Sequence, residues 1–248
     1  MLKVSVFIIT LNEQDHIKRA LESTKLFSQV VVVDCGSTDD TIDICKQFTN
    51  VKLIHQKWLG FSKQKQFALE NCSNEWAFNL DADEELTPEI IAEIKLCMAS
   101  NKYSGARFPR RELFLGELTH KWTKNNRFLR FVKTRSASYN DKLVHESLQV
   151  NGEIYESNAC FLHYGEQSLF IKVEKINKYA LLRAKEKSSK GKKSSITKML
   201  LAPILAFIKS YILKRNFLMG RRGLAGSTIV SFYAFLKEAM LYEENRKN

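Results

Sequence analysis

The sequence predicts an α/β fold in which a mostly parallel central sheet is flanked by helices and followed by a basic, helical C-terminal extension. Apolar strand patterns alternate with helical patterns over the first hundred residues, and this order produces a parallel sheet with right-handed crossovers. One run, QVVVVD at residues 29–34, is almost wholly β-branched, which is typical of a central strand. Polar clusters also follow three of the predicted strands, and ligands of open α/β sheets bind at these carboxyl ends.

The predicted elements of this region follow one another through short connections. The fourth helix has the clearest start, because Thr87 is a suitable N-cap and proline, here Pro88, is favoured at the first helical position. Ser37 and Asp40 resemble a capping box before the second helix. The predicted strands are 3–10, 29–34, 51–55 and 75–80, and the predicted helices are 13–23, 41–48, 61–71 and 88–100.

After residue 105 the pattern changes to short β-like runs that are rich in charged and aromatic residues. The runs ARFPR, RFLRFVK, DKLVHESL and ACFLHY are predicted to complete the sheet and to close over its cleft. Residues 185–195 (KEKSSKGKKSS) form a basic linker or an exposed helix end, and helices are predicted at 196–214 and 223–242. The longest uncharged stretch, 223–236, is shorter than the roughly 20 residues that cross a bilayer, so the sequence indicates no transmembrane helix.

The net charge of +12 is concentrated in one segment. Residues 1–166 contain 21 Lys/Arg and 22 Asp/Glu, whereas residues 167–222 contain 15 and 2. Such a segment usually meets an anionic partner. No nucleic acid is expected, because the basic residues lie in a Ser/Lys linker and in amphipathic helices while the α/β region is nearly neutral.

An anionic membrane surface suits this segment better. Leu201, Leu205, Ile208 and Ile212 share one face of the helix predicted from residue 196, and lysines lie at its edge or off it. Helices of this kind lie in the headgroup plane of a membrane. The alternative is a helix that packs against the rest of the protein and leaves its lysines in water.

The N-terminus and the cysteines favour a cytoplasmic location. The apolar run at residues 4–9 is short and lacks a small-residue cleavage site, which favours a buried strand over an export signal. The five cysteines are scattered, without the paired spacing of a disulfide framework or zinc cluster. We therefore expect reduced, mostly buried thiols.

The strongest chemical signal is Asp81-Ala82-Asp83, which follows the fourth predicted strand. Two carboxylates at positions i and i+2 of a turn can face the same side of the sheet edge. Hard oxygen ligands suit Mg²⁺ or Mn²⁺, and such a cation stabilises the charge that grows on a diphosphate leaving group. The alternative is an acidic turn that caps the following helix.

Polar groups after the first two strands form a second candidate surface. Thr10, Asn12 and Glu13 offer donors and acceptors for a base and ribose, although Asn12 could instead satisfy a helix N-terminus. Asp34 could accept a hydrogen bond from a uracil N–H or a ribose hydroxyl, or could be structural. Residues 10–15 (TLNEQD) contain no glycine, which excludes a dinucleotide-binding oxidoreductase.

Four ordered segments resemble the inverting family 2 glycosyltransferases, which have the GT-A fold. They are VSVFIITLNEQDHI, VVVVDCGSTDDT, GFSKQKQFAL and NLDADEEL. The later segments FLGELTHKW, RFLRFVKT, LVHESL and YILKRNFLMGRRG resemble markers of the lipopolysaccharide inner-core β-glucosyltransferase group, so the resemblance covers essentially the whole chain. Two positions depart from the family pattern: Cys35 stands where many relatives have an acidic residue or serine, and Gln66 where asparagine is common. These departures concern the detail of the site.

The resemblance implies roles for individual residues of the first half. The implied nucleotide-sugar pocket contains Thr10, Asn12, Glu13, Asp34, Lys63, Gln66 and Asp81. The resemblance also implies that all four residues 63–66 lie beside this pocket. Asp81 and Asp83 would contact the ribose and diphosphate and would hold the divalent metal. On this basis we divide the chain into a catalytic domain at 1–166, with a nucleotide-binding half at 1–100 and an acceptor half at 101–166, and a basic, membrane-associating helical extension at 167–248.

Inversion at the anomeric carbon requires one general base, which takes the proton of the acceptor hydroxyl. Our candidate is Glu146, which follows a strand-like run in the acceptor half and belongs to the VHE of the matching group. Asp141, Glu112 and Glu117 are weaker alternatives. The alternative to a catalytic role is that His145 and Glu146 form an ordinary pair on the surface.

Several residues of the same half are candidates for acceptor binding. An aromatic face stacks on sugars, and arginine grips phosphate or carboxylate. His145 is a further candidate, as a metal or phosphate partner. Each of them could instead be a core aromatic or a solvated charge. The predicted acceptor-binding residues are Trp122, Arg127, Arg130 and His145.

The resemblance therefore implies a metal-dependent hexosyltransferase. We expect it to move glucose from UDP-glucose to a lipid-linked lipopolysaccharide core acceptor, as a peripheral protein on the cytoplasmic face of the inner membrane. Galactose and N-acetylglucosamine remain open as donor sugars. The alternatives are a family 2 transferase for another surface glycan or lipid-linked acceptor, and a non-catalytic protein that binds nucleotide sugars.

Overall fold

The computed structural model describes residues 1–140, 147–165 and 168–247, which form two compact units. The first unit comprises Met1–Arg111 and Asn126–Tyr164, and the second comprises Glu112–Asn125 and Gly165–Asn248. Residues 112–125 therefore belong with the C-terminal helices, whereas the sequence-based division at residue 166 placed them in the catalytic domain.

The part of the first unit formed by residues 1–100 is built on a parallel sheet, as predicted. Its strands lie in the order β3-β2-β1-β4, and neighbouring strands run parallel. The strands and the helices between them are β1 (Leu2–Thr10), α1 (Ile17–Ser23), β2 (Phe27–Asp34), α2 (Thr41–Lys46), β3 (Val51–His55), α3 (Phe61–Glu70) and β4 (Trp76–Asn79). Helix α1 begins four residues later than predicted, because Asn12 has a left-handed backbone (φ 54°) and the residues before α1 form a loop.

The second half of the sheet is mostly antiparallel, although the strand at Glu153–Glu156 runs parallel to the strand at Tyr103–Phe114. Strand β8 pairs antiparallel with both β4 and β6, and β12 pairs antiparallel with β5. Strands β9 and β10 form a separate ladder on either side of residues 141–146, which lie outside the described residues. The elements are β5 (Glu84–Glu85), α4 (Pro88–Ala99), β6 (Tyr103–Phe114), β7 (Glu117–Leu118), β8 (Arg127–Lys133), β9 (Ala137–Tyr139), β10 (Leu148–Val150), β11 (Glu153–Glu156) and β12 (Phe161–His163).

Hydrophobic cores lie on both faces of the sheet. Val4, Val6 and Ile8 point to one face and pack with apolar residues of α1 and α4, while Phe7 points to the other face with residues of α3. This alternation follows from the two-residue period of a strand. Because both faces are covered, the central strands are apolar almost throughout, and the polar residues collect where these strands end.

The second unit is helical. Helices α5 and α6 both pack on α7, and a π-helical turn continues α6 to Leu213. Arg222 of α7 donates hydrogen bonds to the carbonyl oxygens of Phe114 (3.0 Å) and Glu117 (3.1 Å), which anchors residues 112–125 to this helix. The helices are α5 (Leu169–Ser189), α6 (Ile196–Ile208) and α7 (Gly220–Lys247). The first residues of the predicted basic linker, 185–189, are thus the end of α5. The sequence did not predict the rest of this helix.

Two helical stretches of this unit are long and apolar enough to cross a membrane by length and composition. They are Ile196–Leu213 and Asn216–Lys247. The sequence indicated no such helix, because that prediction rested on the length of the longest uncharged stretch. Lys198 and Lys209 interrupt the stretch 196–213.

A buried cluster of charges joins the two halves of the sheet. Arg130 of β8 has only 6% of its side chain exposed and lies 2.6 Å from Oε1 of Glu84 and 3.0 Å from Oδ2 of Asp81. It also donates to the Asn79 side chain at 2.7 Å, and that oxygen accepts from the Tyr139 hydroxyl at 3.0 Å. The side chain of Glu84 is fully buried. The guanidinium therefore compensates two carboxylates at the end of β4.

Replacing Arg130 should destabilise the protein strongly. In Arg130→Met, two carboxylates of the cluster lose their principal cation, and breaking a buried ion pair costs about 3–5 kcal/mol. The free energy of unfolding of the first unit, measured in urea, should fall by that amount. Adding Glu84→Gln should recover part of the loss, because the substitution removes a buried charge.

Arg127→Met is the matched control. Its side chain is 38% exposed and contacts Glu156, Asn158 and the carbonyl oxygen of Ser157, so the loss should be smaller, about 1–2 kcal/mol. Equal unfolding curves for Arg130→Met and the parent protein would contradict a structural role for this arginine.

Candidate active site

The polar strand ends meet at one edge of the parallel sheet. Thr10, the last residue of β1, is paired in register with Asp34, the last residue of β2. The backbone N–H of Leu80 donates to the carbonyl of Phe7 at 3.1 Å, which fixes the segment after β4 beside β1. The chain order reverses at β1, and a crevice at such a reversal is the usual ligand site of an open α/β sheet. Oγ1 of Thr10 is buried there without a hydrogen-bond partner among the described residues.

The loops after β1 and β2 hold each other in place. The Asn12 backbone N–H donates to Oγ of Ser37 (2.9 Å), and its side-chain oxygen accepts from the N–H of Thr38 (2.8 Å). The N–H of Glu13 donates to Oγ1 of Thr41 (2.8 Å). Asn12 and Glu13 thus lie on the predicted edge. The side chain of Asn12 organises the neighbouring loop and does not cap α1, whose N-cap is His16.

Asp34 is buried at the start of the second loop. Its Oδ2 accepts from the N–H groups of Gly36 (2.7 Å) and Ser37 (2.9 Å), and its Oδ1 accepts from the Ser37 hydroxyl. Gly36 has φ 109°, a conformation that favours glycine. The carboxylate therefore shapes a turn beside Thr10, and its nucleotide contact stays a prediction.

Helix α3 presents Lys65 to the site. Its ammonium lies 3.0 Å from Oδ1 of Asp81, and the side chain is 10% exposed. Gln64 donates to Sγ of Cys35 at 3.3 Å. Of the two predicted residues, Lys63 is exposed, and Gln66 accepts from the N–H of Tyr139 and donates to Glu70.

The helical period explains why the resemblance indicated the run 63–66 but did not single out Lys65. The four candidates of the FSKQKQF segment point to different sides of α3, and only the packing against the sheet shows which side faces Asp81. A lysine two residues from another lysine carries no sequence signal that distinguishes the buried one.

The two aspartates of the DxD segment have different surroundings. Asp81 lies between Lys65 and Arg130, 3.0 Å from each. Burial alone would raise the pKa of Asp81, but these two cations hold it well below its usual range. Burial instead raises the pKa of Glu84, with a further contribution from the charge of Asp81. Asp81 is therefore ionised and already compensated by cations of the protein.

Asp83 is paired with a histidine that the sequence analysis did not single out. Oδ2 of Asp83 lies 3.0 Å from Nε2 of His163, the last residue of β12. The N–H of Tyr164 donates to the carbonyl of Asp83 at 2.8 Å, so β12 holds this segment from both backbone and side chain. Burial opposes the shift, but the hydrogen bond and charge of His163 lower the pKa of Asp83. The run ACFLHY predicted a strand, but nothing in it indicated this partner.

Asp83 and His163 are the pair that could hold a divalent cation. No group of three or more His, Cys, Asp or Glu forms a metal cluster within the described ranges. Mg²⁺ commonly uses one or two carboxylates together with substrate phosphates and water. A carboxylate and an imidazole beside the strand ends therefore fit a cation whose remaining ligands come from a diphosphate.

The predicted acceptor residues occupy three different environments. Trp122 is 62% exposed and belongs to the second unit, where its ring contacts His120 edge-on. Arg127 is half-exposed and donates to the Ser157 carbonyl and to Asn158. Arg130 is buried beneath Asp81, which favours a positioning function over an exposed acceptor contact.

The predicted base and its neighbour, Glu146 and His145, lie outside the described residues. The residues on either side of this segment are ordered by the ladder between β9 and β10. Asn140 donates to Oγ of Ser147 at 2.6 Å, and the carbonyl of Asn140 accepts from Oγ of Ser62 at the start of α3. Both flanks therefore lie beside the helix that carries Lys65.

Comparisons with known proteins agree with this architecture. Residues 5–162 match the family model of glycosyl transferase family 2. An uncharacterized glycosyltransferase of Rickettsia prowazekii (strain Madrid E) is 34% identical over 264 aligned positions, covering 100% of this chain and 89% of that protein. The lipopolysaccharide core biosynthesis glycosyltransferase LpsC of Rhizobium meliloti (strain 1021) is 31% identical, covering 98% of this chain and 93% of LpsC.

A solved structure shows the same fold at low sequence identity. S. aureus TarS 1-349, in a crystal structure with UDP-GlcNAc, aligns with a TM-score of 0.50 and 16% identity over 99% of this chain and 92% of that one. The family match covers the parallel sheet, the DxD segment and most of the antiparallel strands, and this fold is the GT-A fold expected from the sequence. The chain belongs to glycosyl transferase family 2, and the protein is a glycosyltransferase.

Proposed function

We propose that this glycosyltransferase moves a hexose from a nucleotide-sugar donor, UDP-glucose, to a lipid-linked lipopolysaccharide core acceptor on the cytoplasmic face of the inner membrane. The end-to-end similarity to LpsC carries the proposal, because it extends through the second unit and well beyond the shared family region. The UDP-GlcNAc complex of TarS supports a uridine nucleotide donor for this fold.

The site offers a place for each part of such a donor. The edge formed by Thr10, Asn12 and Asp34 would take the base and ribose. The ammonium of Lys65 and the carboxylate of Asp83 would flank the diphosphate, with His163 beside them. A divalent cation, Mg²⁺ or Mn²⁺, would supply positive charge for the leaving diphosphate. Because Lys65 and Arg130 already compensate Asp81, the open cation ligand of the DxD segment would be Asp83.

Inversion requires a base on the opposite side of the sugar from the leaving group. Glu146 would take the proton of the acceptor hydroxyl as its oxygen attacks the anomeric carbon in line with the departing diphosphate. The carboxyl group then carries the proton, and the nucleoside diphosphate leaves with the electron pair of the broken bond. Arg127 and Trp122 remain candidates for contacts with the acidic core acceptor.

The membrane location follows from the acceptor and from the basic second unit. Lys192 and Lys193 precede α6 in a segment that is rich in lysine and nearly free of acidic residues, and each such charge contributes about 1 kcal/mol near an anionic surface. A second candidate function is binding of a nucleotide sugar without catalysis, which the same strand-end site would also support.

A donor panel tests the proposed function directly. The full-length protein, UDP-glucose, UDP-galactose or UDP-N-acetylglucosamine, and a truncated lipopolysaccharide core in detergent should give a product enlarged by one sugar only with the correct donor and a divalent cation. Mass spectrometry of the acceptor identifies the transfer. Donor binding with no transfer to any core acceptor would favour the non-catalytic alternative.

Asp83→Asn should abolish metal-dependent UDP binding and lower turnover by roughly a hundredfold or more, because the cation loses its charged ligand. His163→Ala should weaken the same metal-dependent binding, measured by calorimetry with and without Mn²⁺. Asp43→Asn is the control, since that carboxylate is exposed on α2 and pairs only with Lys46 among the contacts described. Full activity of the parent protein in excess EDTA would contradict metal dependence.

Glu146→Gln should leave donor affinity nearly unchanged and lower turnover by roughly 10²–10⁴, the usual effect of removing a positioned base. The amide keeps the size of the side chain but cannot accept the proton. Donor affinity, melting temperature and turnover should be measured on one preparation, with the exposed Glu153→Gln as control. Near-parental turnover in a folded Gln variant would assign the base to another carboxylate, such as Asp141.

A further inference from the structure

Helix α6 and its extension to Leu213 expose all of their leucine and isoleucine side chains. Leu200 and Leu205 are each 63% exposed, and Ile204 is 55% exposed. The stretch Ile196–Leu213 has a mean hydropathy of 1.6, and only 6% of it is buried. The less exposed face, which recurs at helical spacing, carries the small residues Ala202, Pro203, Ala206 and Ser210 together with the larger Met199, Phe207 and Tyr211.

The contact between this segment and α7 uses small and hydroxyl-bearing residues. Oγ of Ser210 and Oγ of Ser227 lie 3.0 Å apart, and both side chains are buried. The Ser231 hydroxyl donates to the carbonyl of Pro203 at 2.9 Å.

This arrangement is the reverse of a water-soluble helix pair. In water, large apolar side chains pack between helices and hydroxyl groups face the solvent. In lipid, small residues and side-chain hydrogen bonds lie between helices, while large apolar residues face outward. The pair formed by α6 and α7 follows the second pattern.

The charges around the segment complement a lipid bilayer. Residues 187–237 contain no aspartate or glutamate. Lys192 and Lys193 precede α6, and Lys214 and Arg215 follow its extension, so basic residues flank the apolar stretch at both ends. The two lysines within the stretch, Lys198 and Lys209, are exposed and lie towards its two ends, from where long lysine side chains reach the headgroups. Eighteen residues at about 1.5 Å each approach the roughly 30 Å of a hydrocarbon core.

We propose that the helical segment 196–213, together with the outer apolar face of α7, is embedded in the hydrocarbon of a lipid bilayer, with the flanking basic residues at the headgroups. This inference deepens the proposed function, which placed only basic residues at a membrane surface. The partner is the acyl-chain region, so binding depends on apolar burial and not on headgroup charge alone.

Vesicle flotation with the full-length protein distinguishes the two kinds of binding. The protein should float with phosphatidylcholine vesicles that lack anionic lipid, should stay bound in about 1 M salt, where the Debye length is only about 3 Å, and should resist extraction with alkaline carbonate. Lys192→Gln/Lys193→Gln should leave this salt-resistant fraction unchanged. Lys187 is unsuitable for the variant, because it pairs with the buried Glu238.

The paired variants Leu200→Glu/Leu205→Glu and Leu26→Glu/Leu96→Glu test the assigned face. Leu26 (59%) and Leu96 (63%) are equally exposed but belong to the first unit. The α6 pair should lower the partition coefficient by about tenfold or more per leucine, and the first-unit pair should leave it unchanged. Leu200→Met/Leu205→Met keeps the apolar character and should float like the parent protein, which guards against a folding defect in the glutamate variant.

Three results would overturn the proposal: complete release by salt or carbonate, parental flotation of Leu200→Glu/Leu205→Glu, or failure to float combined with a dimer that the same substitutions convert to a monomer. The last result would assign this face to a second copy of the chain. The α6 variants should still transfer sugar to a detergent-solubilised acceptor at the parental rate. An inactive parent that floats as described would refute the proposed function and leave the embedded segment standing.

Discussion

The buried pairing of Arg130 with Glu84 and Asp81 is the interaction on which the catalytic unit depends. The DxD segment places three carboxylates within four residues at the end of a buried strand, and carboxylates so close together and out of water repel one another and are poorly solvated. The guanidinium arrives from β8, an antiparallel strand about fifty residues later in the chain. The parallel and antiparallel halves of the sheet must therefore meet correctly before the segment can form.

This compensation divides the two aspartates into different chemical roles. Asp81 is ionised and is held in place between two cations of the protein, Lys65 and Arg130. Asp83 has one such contact among the described residues, with His163. Pairs of titratable groups whose surroundings differ in this way commonly separate structural from chemical tasks. The same logic applies to Asp34, whose oxygens are occupied by its own turn. Hydrogen bonds and ion pairs within the protein therefore hold the side chains of this edge in place before a ligand binds. A ligand then meets a preorganised surface.

The sequence predicted the parallel half of the fold well, because strand and helix periods there are uninterrupted and the polar residues stand at the strand ends. It located Thr10, Asn12, Asp34 and the DxD segment on one edge for that reason. It did not distinguish Lys65 from Lys63, since the side of α3 that faces the sheet is decided by packing. Arg130 was assigned to an acceptor contact because a charged residue in a β-like run gives no sign that its partners lie near residue 81. His163 was missed for the same reason: its partner is eighty residues away in the chain.

The first unit and the α6–α7 pair bury their side chains by opposite rules, and this contrast bears on the lipid-linked acceptor that we propose. In the first unit, large residues such as Phe78, Phe108 and Phe131 are fully buried and polar groups lie at the rim. Between α6 and α7 of the second unit lie serine hydroxyls, and the leucines of α6 face outward. A nucleotide sugar is soluble in water and a lipid-linked core is not, so an enzyme that joins them needs a surface suited to each solvent. In the first unit, the hydrophobic effect stabilises the fold in water, because the large apolar side chains are buried. The apolar side chains on the outer face of the second unit contribute this stabilisation only where that face is also removed from water. Lipid would complete the burial of the second unit in the same step that brings the protein to the proposed acceptor.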